Sequence, residues 1–150
     1  MIHPNIALLE KINTLIKILV VEDEMIIGAK ISMYLTDLGY EVTGIIPRGE
    51  EVVFHVRENT PDIILMDINL KGLLDGIQTA TLLQKEFDIP IIYLTANTDE
   101  ATFARAKPTR PYAYISKPFK QLDLKHALEL ASERILIEKV NLKISPISLY

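Results

Sequence analysis

The sequence predicts a three-layer α/β fold: a five-stranded parallel sheet with helices on both faces. Two patterns alternate along the chain. Short, continuous apolar runs read as strands buried on both faces. Between them lie stretches whose apolar residues return every three or four positions, as helices covering a sheet require. A third observation is that several runs end in chemically capable side chains. The clearest is residues 63–66 (IILM), entered from Pro61-Asp62, ending at Asp67 and left through Lys71-Gly72. In open parallel sheets that carboxyl edge is where ligands collect.

At 150 residues the chain fits one domain with modest extensions. A domain of this size buries about 68–70% of its unfolded surface, so it needs no covalent staple. The absence of cysteine excludes disulfides, thiol nucleophiles and cysteine-ligated metals, and suits the cytoplasm. The net charge is -4 and the basic residues are scattered, which disfavours direct nucleic-acid binding. No apolar run reaches the ~18 residues of a membrane span, and the start lacks the basic region of a secretory signal.

Residues 1–16 read as an N-terminal extension, helical by the spacing of Leu8, Leu9, Ile12, Leu15 and Ile16. The first strand is 18–21, ending at Glu22-Asp23. A helix follows with Ile27, Ile31, Leu35 and Leu38 on one face, and Gly39 is its expected stop. A second strand spans 41–46. A second helix spans 49–57, with Val52, Val53 and Val56 apolar, and Asn59-Thr60-Pro61 breaks it. After the central strand, 62–66, comes a loop over 68–75. The third helix turns Ile77, Ala80, Leu83 and Phe87 inward. The fourth strand, 91–94, ends at Thr95-Ala96. A short fourth helix covers about 99–107. The fifth strand, 112–115, ends at Ser116-Lys117-Pro118. The last helix is expected over about 120–140, with Leu124, Leu128, Ala131 and Ile135 at core spacing. The tail, 139–150, contains Pro146 and shows no clear period, so it is expected to be loose or dependent on a partner. The domain proper is then 17–138.

A parallel sheet brings Glu22, Asp23, Asp67, Thr95 and Lys117 to one edge. Three carboxylates beside one lysine make a hard, oxygen-rich site suited to Mg²⁺. Without a cation the site carries a charge of about -2 at neutral pH, which repels a phosphoryl donor. A divalent cation relieves that and lets a carboxylate attack phosphorus. Each residue alone has a plainer reading: Asp23 as a helix cap, Thr95 bonded to backbone, Lys117 solvated, Tyr114 packing. His3, His55 and His126 are scattered and are read as neither ligands nor phosphoacceptors.

Together, residues 18–23 (ILVVED), 66–69 (MDIN), Asp75-Gly76, 93–96 (YLTA) and 114–119 (YISKPF) resemble the receiver domain of two-component response regulators. The resemblance covers about 17–138. It implies a flavodoxin-like fold with strand order 2-1-3-4-5. It implies that Asp67 accepts a phosphoryl group from a histidine kinase. Asp23 then ligates Mg²⁺ directly, Glu22 assists through water, and Asp67 and the Asn69 backbone carbonyl complete the protein ligands. Thr95, the Ala96 backbone and Lys117 hold phosphoryl oxygens. Tyr114 is the switch aromatic, moving with Thr95, and the bond to Pro118 is expected to be cis.

Two departures stand out. The loop 70–74 (LKGLL) lacks the family's usual Met-Pro pair and is one residue longer, and Ala113 replaces a common Gly. Residues 105–109 (RAKPT) resemble a branch often fused to sensor and kinase modules. The expected output is the surface of a downstream protein or module, with a homodimer open through the N-terminal stretch and long last helix. Two alternatives carry different chemistry. A degenerate receiver would only bind partners. An aspartate-nucleophile phosphatase would need an acid/base Asp where Asn69 stands.

Overall fold

The computed structural model describes residues 16–148, with side chains as far as residue 138. The expected N-terminal helix over 1–16 lies outside it except for Ile16, which is buried. Five strands form one parallel sheet: β1 (Lys17–Val21), β2 (Glu41–Ile46), β3 (Ile63–Asp67), β4 (Ile91–Thr95) and β5 (Ala113–Ser116). Their order is β2-β1-β3-β4-β5, as expected. The helices between and after them are α1 (Met25–Asp37), α2 (Val52–Glu58), α3 (Gly76–Leu83), α4 (Glu100–Ala106) and α5 (Gln121–Ser148).

The continuous apolar runs become legible in three dimensions as a split of alternate residues. Ile18, Val20, Ile63, Leu65, Ile92 and Leu94 point into one core, closed by Ile31 and Leu35 of α1 and by Leu124, Leu128 and Ala131 of α5. Their neighbours Leu19, Val21, Ile64, Met66, Ile91 and Tyr93 enter a second core under α2, α3 and α4. Both faces of each central strand are therefore apolar, which removes the in-out polarity of a half-exposed strand. Burying each such side chain contributes about 1.5–3 kcal/mol.

Three boundaries differ from expectation. The second helix begins as a 3-10 turn, Gly49–Glu51, before α2 proper. Helix α3 ends at Leu83, and Phe87 packs on the second core from beyond its end. The last helix continues to Ser148 instead of stopping near 140, so its helical backbone takes in most of the expected loose tail. Pro146 suggested a break. Only two residues from the helix end, it forfeits little of the hydrogen-bond ladder that a mid-helix proline would interrupt. Gly39 stops α1 as expected, at φ 93°.

Candidate functional site

The main chain first fixes where the carboxyl edge lies. Glu22 N–H donates to the Ile46 carbonyl at 3.0 Å, Ile68 N–H to Leu94 at 3.0 Å and Lys117 N–H to Thr95 at 2.8 Å. The ends of β1, β3, β4 and β5 are thereby aligned, and the parallel crossovers put all of them on one side.

Three carboxylates meet there. Glu22, Asp23 and Asp67 each offer an oxygen lying within 4.8 Å of the others. Glu22 is fully buried and Asp67 nearly so, while Asp23 is half-buried. Lys117 bridges the two deeper ones, with Nζ 2.8 Å from Glu22 Oε1 and 3.3 Å from Asp67 Oδ2. Glu22 Oε2 is buried without a hydrogen-bond partner. An orphaned carboxylate oxygen carries a desolvation cost that a bound cation or water would relieve. The donor set is entirely oxygen, so the residues fit a hard divalent cation.

The electrostatics agree with that fit. Burial, then the neighbouring Asp67 carboxylate, push the Glu22 carboxyl up to about 8 despite the ammonium beside it. Burial pulls the Lys117 ammonium down. Its hydrogen bond to Glu22 and the charges of Asp67 and Glu22 outweigh this and leave it raised. One lysine does not satisfy two buried carboxylates.

The loop after Asp67 wraps the site with its backbone. Asn69 N–H donates to Asp67 Oδ1 at 3.0 Å, and Lys71 N–H donates to Asp23 Oδ2 at 3.0 Å. The longer loop turns at Gly72, whose φ of +106° favours glycine. It buries Leu70 and leaves Leu73 exposed.

Two residues here went unrecognised as structural determinants. Gly76 N–H donates to the Ile68 carbonyl at 2.9 Å, and a Cβ on Gly76 would collide with the Asp67 carbonyl oxygen and sit 2.8 Å from Ile68 Cα. Asp75 caps α3: its Oδ1 accepts from Gln78 N–H at 2.8 Å, and Gln78 Oε1 accepts from Asp75 N–H at 2.9 Å. Asp75 Oδ2 also takes Arg105 Nη2 of α4 at 2.7 Å. The cap had a readable signal, an Asp followed three residues later by Gln ahead of an apolar helix.

Thr95 lies at the end of β4, but its hydroxyl is engaged in its own loop. It donates to the Asn97 carbonyl at 2.8 Å and accepts from Asn97 N–H at 2.9 Å. Ala96 beside it is exposed. Tyr114 is half-buried, edge-on to Phe103 at 4.7 Å and tilted against Tyr93 at 5.9 Å. The Lys117–Pro118 peptide is cis.

The sequence matches the response regulator receiver domain over residues 18–129. The chain belongs to that family. Transcriptional regulatory protein PdtaR of Mycobacterium tuberculosis is 34% identical over 118 residues, covering 79% of this chain and 57% of that protein. The receiver thus spans about half the length of the curated relatives it matches. Among solved structures, the signal receiver domain of a modulated diguanylate cyclase from Desulfovibrio desulfuricans is 38% identical with a TM-score of 0.75, covering 81% of this chain and 97% of that one. The N-terminal domain of a response regulator/sensory box/GGDEF protein from Carboxydothermus hydrogenoformans is 34% identical with a TM-score of 0.73, covering 84% and 98%. This receiver is thus like modules found in multidomain signalling proteins. Among the described residues, no helix is long and apolar enough to cross a membrane.

Proposed function

We propose that this receiver is a phosphorylatable switch that takes a phosphoryl group onto Asp67 from the phosphohistidine of a histidine kinase in the cytoplasm. The observation that carries the reading is the buried Asp67 carboxylate, 3.3 Å from Lys117 Nζ and grouped with Glu22 and Asp23. In the transfer an Asp67 oxygen bonds to phosphorus as the donor's P–N bond breaks. The imidazole keeps the bonding electrons and takes a proton from solvent. Lys117 lies on the path of the incoming group and neutralises one phosphoryl oxygen. Thr95 must give up its bond to the Asn97 carbonyl to reach another, with the Ala96 N–H beside it.

Asp23, Asp67 and the Asn69 carbonyl would hold Mg²⁺, with Glu22 assisting through water. Bound there, the ion offsets the negative charge of the carboxylates and of the entering phosphoryl group. The orphaned Glu22 oxygen and the all-oxygen donor set support this assignment. No external substrate is turned over: the cycle is self-phosphorylation and autodephosphorylation.

The phosphoryl group adds about -1.5 to -2 charges at the Asp67 loop. Movement of Thr95 would vacate space beside β4, and Tyr114 would turn into it, altering the α4–β5–α5 surface that a downstream protein or module reads. Phosphoramidate, which also carries a P–N bond, tests the chemistry without a cognate kinase. Lys117→Ala is expected to slow Asp67 phosphorylation by about a hundredfold, the scale of losing one preorganised charge-stabilising donor. An unchanged rate would remove Lys117 from the mechanism.

A further inference from the structure

The phosphoacceptor edge uses neither the outer face of α5 nor its far half. Ile135 is the last core residue of α5 among the described side chains, yet the helix continues for thirteen residues, about 20 Å at 1.5 Å per residue. Leu130 is 73% exposed and Ile137 is 54% exposed, and nothing among the described residues covers them. A projecting helix of this length draws little stability from propensity alone; helices in proteins depend on packing an apolar face.

The sequence supplies such a face. Leu130, Ile137 and Ile144 are seven residues apart, and Val140 and Ile147 fall three residues after the last two. These are the a and d positions of a heptad repeat, whose natural partner is an identical stripe. The flanks fit as well. With Leu130 at a, Glu129 is at g and Arg134 at the following e, the spacing at which parallel helices exchange opposite charges. Both residues are exposed, and neither has an ion-pair partner among the described residues. Arg134 lies with its guanidinium 5.4 Å from the Tyr112 ring centre, leaving its edge open to a second helix. The exception is Glu133, an exposed carboxylate at d.

We infer that the face of α5 marked by Leu130 and Ile137 docks on the same face of a second copy of this chain, forming a parallel two-helix coil beyond the domain. Like charges at Glu133 set the two helices apart next to the domains and close the coil from Ile137 onward. The interaction does not depend on the phosphoacceptor chemistry, and it is measured without any phosphodonor.

Sedimentation equilibrium of the full 150-residue chain tests it, with circular dichroism to confirm folding. The expected result is a reversible monomer–dimer equilibrium. Ile137→Lys should weaken it by about tenfold or more, and Glu133→Leu should tighten it by about tenfold, the scale of adding or removing a charge in an apolar layer. Because the chain has no cysteine, Ile144→Cys reports orientation directly. A parallel coil gives a symmetric disulfide under mild oxidation, whereas Lys139→Cys, off the stripe, does not. A monomer at every concentration, or a dimer indifferent to both Ile137→Lys and Glu133→Leu, overturns the inference. So does a monomer that dimerises only after residues 1–15 are deleted, which would mean that this chain's own N-terminal segment covers the stripe.

Discussion

Glu22 shows how far one carboxylate can depart from its ordinary behaviour inside this fold. Its folded value is about 8 against an ordinary 4.5, raised chiefly by burial. A group whose folded value is raised stabilises fully below its unfolded value, and that contribution is lost as pH rises through the folded one. In the metal-free protein, Glu22 therefore costs increasing stability between about pH 5 and pH 8. Glu22→Gln should gain stability over the wild type across that window and little below it, as read by thermal melts in chelator. A difference that stays flat with pH would refute the burial of this charge. Gly76 makes the opposite demand, for the absence of a side chain. Gly76→Ala drives a methyl into the Asp67 carbonyl and the Ile68 backbone. The neighbour is main chain and cannot swing aside, so ~1–3 kcal/mol of stability should be lost in a denaturant titration.

Not all of this was open to reading one residue at a time. Asp67 was legible because four apolar residues lead into a lone carboxylate at a strand end. Lys117 was legible because the fifth strand ends beside it. The hydroxyl of Thr95 was not, since its turn onto Asn97 depends on loop backbone that no period encodes. The role of Gly76 was hidden for a related reason: its contact is with a residue nine positions earlier, brought close only by the loop between them.

At the scale of elements, Asp75 joins three parts of the fold. It caps α3, ends the loop that wraps Asp67, and holds Arg105 of α4 at 2.7 Å. Removing the cap alone should cost about 0.5–2 kcal/mol. The ion pair is half-exposed, so its share should be ~1 kcal/mol or less. A double-mutant cycle of Asp75→Ala and Arg105→Ala separates the two. A coupling energy near zero would mean that α4 is not tied to the phosphoacceptor loop through this pair. The strands and α1 were readable to within a residue or two, because apolar runs and the Gly39 stop are local signals. The reach of α5 was not: Pro146 argued for an end, and its low cost two residues from the helix terminus is a matter of position.

Across the whole molecule, the sheet order and the parallel crossovers do the assembling. Residues separated by up to 95 positions, as Glu22 and Lys117 are, meet at 2.8 Å only because β1, β3 and β5 end on one edge. The membership in the receiver family and the fold were both visible in the five motifs taken together, and in none taken singly. A switch built this way has one central requirement: that Asp67 be the nucleophile and that a divalent cation enable it. Intact-mass spectrometry after incubation with acetyl phosphate tests that most directly. The expected result is a single phosphoryl adduct that forms with Mg²⁺, fails to form in chelator, and is abolished by Asp67→Asn. An unmodified wild-type chain, under conditions that phosphorylate another receiver, would contradict it, as would an adduct that survives Asp67→Asn.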